Sequence, residues 1–148
     1  MEQKSAFETF ELNLPPVILG YLKETSSWTY FLSILGFVGI GLMILGGIFF
    51  SLFMGLMPGG NPYEGLGVDM SYFGFIYIVI ALVYFFPVLY LFNFSRKMKS
   101  ALSSNNNDTL TAAFSNLKSH YKFVGIFAIA IISLYVLVFV SALIGGIM

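Results

Sequence analysis

The chain has 148 residues, 58% hydrophobic and 9% charged, with seven basic and seven acidic side chains and no net charge. An ordinary soluble domain carries roughly 25% charged residues, so this composition excludes a water-covered surface and points to lipid as the solvent. Zero net charge leaves no global field to recruit nucleic acid, and the lack of cysteine excludes disulfides, thiolate nucleophiles and cysteine-ligated metals.

Residues 1–27 are mostly polar and read as an N-terminal segment ending in a short amphipathic helix. Asn13 suits an N-cap, and Pro15 and Pro16 suit a first turn, where missing N–H groups cost little. Val17, Ile18, Tyr21 and Leu22 form one apolar face, expected to lie against the membrane or the bundle. Trp28 opens the first span at the headgroup level that an indole prefers. Residues 28–57 contain no charge, and about 20 helical residues suffice to cross the hydrocarbon core. The run starts too late and is too long for a cleavable signal peptide, so it reads as an anchor.

Three glycines in GFVGIG (36–41) are in the wrong order and context for a dinucleotide fingerprint. Small residues in membrane helices permit close packing instead. Gly36, Gly39 and Gly46 share one face with Met43, while Gly47, Ser51 and Gly55 repeat at four-residue intervals on another. These six are the expected helix-packing residues, serving contacts within the chain or between copies. Ser141, Ala142, Gly145 and Gly146 repeat the pattern near the end of the chain.

The connection 58–70 is rich in Pro and Gly and holds Glu64 and Asp69 without a base. The second span, 71–95, contains Pro87, which removes a helical hydrogen bond and clashes with the Val83 carbonyl, so a kink is expected. Tyr77 and Tyr84 lie seven residues apart, with hydroxyls toward a similar side. With the Pro87 bend they form a candidate pocket, although tyrosines of this kind more often bond between helices.

Arg96, Lys97, Lys99, Lys118 and Lys122 place five of the seven bases in the 96–122 connection. Lys4 and Lys23 are in the N-terminal segment, so a three-span chain has all its bases on one side. A Lys/Arg excess in short loops marks the cytoplasmic face, which predicts N-terminus in and C-terminus out. The same five bases are the expected contacts for anionic headgroups. SSNNN (103–107) signals a turn, Asp108 suits an N-cap, and Leu110, Phe114, Leu117 and Tyr121 make a helical stripe. Together they predict a helical hairpin that returns into a third span, 123–147. His120 has no acid or second histidine nearby in the sequence and reads as solvated or facing headgroups.

The expected fold is thus an all-α integral membrane protein with three transmembrane helices, an interfacial N-terminal helix and a cytoplasmic hairpin. Residues 28–148 form one transmembrane domain. The spans lack the ionisable side chains of ion-coupled transporters and proton relays. No protease or phosphotransferase constellation can be assembled, so an enzyme is not expected, and no cofactor or metal is called for.

The order of WTYFLSILGFVGIGLM (28–43), YFFPVLYLFNFSRKMKSAL (84–102) and AFSNLKSHYKFVGI (113–126) resembles a family of small multi-span membrane proteins of unknown function, mainly from Bacteroidota. The resemblance covers about 17–140, omits the 58–70 loop, and implies a multi-pass protein of a bacterial inner membrane without assigning an activity. The expected role is a non-enzymatic accessory or scaffold subunit, packing with itself or with a larger membrane complex. The alternative is a small homo-oligomeric channel or transporter for a neutral or lipid-like solute.

Overall fold

The computed structural model describes residues 15–56 and 71–145. They form three helices: α1 (Pro16–Leu56), α2 (Ser71–Ser104) and α3 (Asn107–Gly145). All three are long and apolar enough to cross a membrane. The Asn13 cap and the 58–70 connection lie outside the described residues. At 1.5 Å per residue, the 41 residues of α1 extend about 60 Å, twice the hydrocarbon thickness. A helix of that length set across a bilayer has a stretch that projects beyond the hydrocarbon.

The expected separate N-terminal helix is corrected. Residues 16–56 are one continuous helix, so the amphipathic lead and the first span share an axis. The polar Thr25–Ser27 step does not break it, because the hydroxyls are satisfied inside the helix. Ser26 and Ser27 Oγ donate to the Lys23 carbonyl at 2.8 and 3.0 Å, and Thr29 Oγ1 donates to that of Thr25 at 2.7 Å.

α1 and α2 pack antiparallel along a seven-residue repeat. Ser26, Ser33, Ile40 and Gly47 are buried on α1; Gly74, Ala81 and Ser95 are buried on α2, with Val88 half-buried in the same row. A sustained period of seven belongs to left-handed, knobs-into-holes packing. The buried hydroxyls act here as small groups, since Ser33 and Ser95 Oγ donate to the carbonyls of Tyr30 and Phe92 in their own helices. Tyr30 stacks on Phe92 at 5.6 Å, and Phe37 meets both Phe85 and Phe92 at 5.7 Å.

Three of the six expected packing residues lie in this seam. A Cβ on Gly36 would stand 2.9 Å from both Val88 methyls, and one on Gly47 would stand 2.7 Å from the Gly74 carbonyl oxygen. A Cβ on Gly74 would collide with the Gly47 carbonyl oxygen and come within 2.8 Å of Ser51 Cβ. Gly39, Gly46 and Gly55 meet nothing within 4 Å at that position. The two proposed glycine faces are therefore redrawn: Gly36, Gly47 and Ser51 share the α2-facing side, and the Cβ positions of the other three meet nothing among the described residues.

α2 and α3 are joined by a two-residue corner. Asn105 adopts φ 48°, and the Asn106 N–H donates to the Ala101 carbonyl at 3.2 Å, which is the Schellman ending of α2. Asn106 Oδ1 then accepts from the Thr109 N–H at 2.9 Å. Asn106, rather than Asp108, is the N-cap of α3, and Asp108 sits in its first turn. Beyond the corner, Phe94, Met98 and Ala113 are buried together, flanked by Leu22, Leu102, Leu110 and Leu117. The stripe on α3 differs from the expected one, since Ala113 lies in it while Tyr121 is 67% exposed.

The close approach at Gly47 and Gly74 is the tightest point of the α1–α2 seam. Gly74→Val is expected to lower stability by about 1–3 kcal/mol through forced separation of the helices. Gly39→Val, with open space at its Cβ position, is expected to cost well under 1 kcal/mol. Thermal unfolding of the two variants in the same detergent checks the difference.

Candidate functional site

Pro87 is buried in α2, and the helix continues through it. Proline has no N–H to give the carbonyl one turn earlier, which leaves Val83 O without its helical donor. A small cavity of about 90 Å³ opens beside this step, between Val83, Tyr84 and Pro87 on α2 and Phe123, Val124 and Phe127 on α3.

His120 crosses this junction. Its Nδ1 lies 2.8 Å from the Pro87 carbonyl oxygen, so Nδ1 carries the proton and donates, because a carbonyl can only accept. Among the described residues this is the only side-chain hydrogen bond that joins two helices. The expectation of a solvated or headgroup-facing His120 is corrected: the ring is half-buried and edge-on to Tyr121 at 5.4 Å. The signal was the phase of α3, since His120 lies seven residues after buried Ala113 and seven before Phe127. Phe127 meets Tyr84 at 6.2 Å and Phe123 meets Phe86 at 6.3 Å, which fixes the antiparallel register around the bond.

Tyr77 and Tyr84 do not share a pocket. Tyr84 borders the α2–α3 notch, whereas Tyr77 borders a groove of about 490 Å³ between α1 and α2. That groove is floored by Gly46 and Gly47 and walled by Leu42, Phe50 and Phe73. Pro87 touches the first of these spaces only.

The five bases of the connection do not form one belt. Arg96 stacks on Phe92 of its own helix at 5.6 Å, while Lys99 Nζ reaches across to the Tyr30 ring of α1 at 4.6 Å. Lys97, Lys118 and Lys122 are exposed. Lys118 and Lys122 flank His120 and so stand near the level of Pro87, about 13 Å along α2 from Arg96. Positive charge thus descends along α3 rather than stopping at one plane. Snorkelling stems can carry the ammonium groups part of that distance toward water.

Chemically, the notch offers one imidazole whose Nδ1 is engaged by a backbone oxygen, leaving only Nε2 open. It acts as a cross-link from α3 to the Pro87 carbonyl, one turn along α2 from the Val83 carbonyl that lacks its helical donor. His120→Ala is expected to cost about 1 kcal/mol, in the range of interhelical hydrogen bonds in membranes. Tyr121→Ala, beside it but exposed, is expected to be smaller. Unfolding of both variants in detergent measures this.

A family model described as "Family of unknown function (DUF5362)" matches residues 69–143, just over half of the chain. No curated protein and no solved structure matches. The match spans α2, the Asn corner and nearly all of α3, while α1, which the resemblance included from residue 17, lies outside it. The chain belongs to this family of unknown function.

Proposed function

We propose that this member of the DUF5362 family is a non-enzymatic accessory or scaffold subunit of a bacterial inner-membrane assembly. It would pack with copies of itself or with a larger membrane complex. In this reading the N-terminus and the Asn corner face the cytoplasm, with Arg96, Lys97, Lys99, Lys118 and Lys122 among anionic headgroups.

The observation that supports it is the state of α3. Residues 128–145 are exposed throughout, and among the described residues the backbone of α3 nowhere comes within 8 Å of that of α1, Cα to Cα. An apolar helix can face lipid without penalty, so exposure alone does not call for a protein partner. Small residues left over on exposed faces add the second part of the argument. Ser141 and Gly145 lie one turn apart on α3, and Gly39, Gly46 and Gly55 are open on α1. Glycine in a helix interior gives up stability, and close approach of another helix is the usual return. The channel alternative draws less support, because Tyr77 and Tyr84 open onto separate spaces.

Affinity capture in mild detergent, followed by mass measurement of the intact particle, tests the proposal. A stoichiometric assembly is expected, dispersed by Ser141→Phe and retained by Phe139→Ala on the opposite side of α3. A lone monomer in every mild detergent tried would overturn it.

A further inference from the structure

At the basic end of the α1–α2 seam, the two helices present matching Lys-x-x-x-Ser turns to each other. Lys23 and Ser27 on α1 and Lys99, Leu102 and Ser103 on α2 line one cavity of about 410 Å³. The two lysines are 76 positions apart in the chain and converge only because α1 continues past the lipid as the same helix. Lys99 is directed by its contact with Tyr30 rather than trailing freely. The serine hydroxyls donate to carbonyls within their own helices, at 3.0 Å for Ser27 and 2.9 Å for Ser103. Both are exposed, and a hydroxyl can rotate its proton to an oxyanion.

A second groove, of about 390 Å³, adjoins the first through Ser27 and is lined by Glu24, Trp28 and Phe31. Trp28 and Phe31 meet edge to face at 6.2 Å and are both largely exposed. The pair of spaces is polar and cationic at one end and aromatic at the other, in the direction of the lipid-embedded part of α1.

We propose that this paired cavity binds a phospholipid of net negative charge, with the phosphate between Lys23 and Lys99 and the acyl chain along Trp28 and Phe31. Two ammonium groups and the neighbouring Glu24 carboxylate leave one net positive charge. That balance matches a phosphodiester with a single negative charge and disfavours a phosphomonoester with two. The site differs from the general headgroup contact of exposed bases. Lys23 takes part, although it lies outside the basic cluster, whereas Arg96 and Lys97 do not line the cavity.

Trp28 is the only tryptophan in the chain, so its fluorescence reports on the groove without labelling. The test titrates phosphatidylglycerol, and separately phosphatidylcholine, into the full chain in a neutral detergent. A saturable change in Trp28 emission is expected with phosphatidylglycerol and at most a weak one with phosphatidylcholine. The double variant Lys23→Gln/Lys99→Gln is expected to raise the half-saturation point by about 30-fold, from about fivefold per base. Arg96→Gln/Lys97→Gln is expected to shift it less than about threefold.

Ser27→Leu fills the shared wall while keeping both charges. It is expected to weaken binding as well, and it keeps the test decisive if the double lysine variant does not fold. Equal losses from the two charge pairs would overturn the site in favour of diffuse attraction, as would the lack of any saturable change. If millimolar inorganic phosphate alone reproduces the emission change, the cavity serves a free phosphate and the lipid assignment is overturned.

Discussion

α2 has to satisfy two neighbours at once, because among the described residues no Cα of α1 comes within 8 Å of a Cα of α3, although the Leu22 side chain of α1 packs against the cluster of Phe94, Met98 and Ala113. It does so with two adjacent rows. Val88 and Ser95 face α1, while Pro87 and Phe94 face α3. Rows one residue apart are about 100° apart around a helix, which is wider than the roughly 60° of a closed three-helix bundle. The result is an open arrangement with α2 as its spine. The two seams differ in character. The α1 side relies on small groups and backbone proximity at Gly47 and Gly74, and the α3 side on aromatic rings, a buried Met98 and the His120 bond.

That division explains why the seams are satisfied in different ways. In lipid, hydrocarbon attracts a leucine as well as another helix does, so association depends on dispersion at close range and on hydrogen bonds. Where α1 meets α2, glycine and serine let main chains approach, and each buried hydroxyl closes on its own helix. Where α3 meets α2, proline has already interrupted the backbone ladder, and an imidazole supplies the cross-link. The Asn105–Asn106 corner holds the two helices at this separation by ending one helix and capping the next with consecutive residues. The family match covers this hairpin and leaves α1 aside.

Much of the architecture was legible because charge-free runs of 20 or more residues have few alternatives to a membrane helix. The asparagine turn was also legible, because Asn tolerates the left-handed conformation and caps helices with its side chain. Which face of each span packs was not. Apolar residues surround these helices, so polarity does not mark an inside, and the choice falls to size. Gly36 and Gly39 differ by one turn and look equivalent in sequence, yet only Gly36 has Val88 against it. The buried Ser26 and Ser33 reverse the rule that holds in water. His120 was misplaced for a related reason: with no acid or second histidine nearby in the sequence it read as solvated, whereas helical phase from Ala113 and Leu117 puts it in the seam.

The central claim is that α1 and α3 each pack along α2 rather than along each other, and disulfide mapping tests it directly. The chain contains no cysteine, so every cross-link within a monomer comes from an introduced pair. Bridging requires Cα atoms within about 7 Å. Cysteines replacing Gly36 and Val88, or Tyr84 and Phe127, should join under mild oxidation. A pair replacing Phe37 and Phe123, which would face each other in a closed three-helix bundle, should stay reduced. Efficient intramolecular bridging of that last pair would contradict the open arrangement.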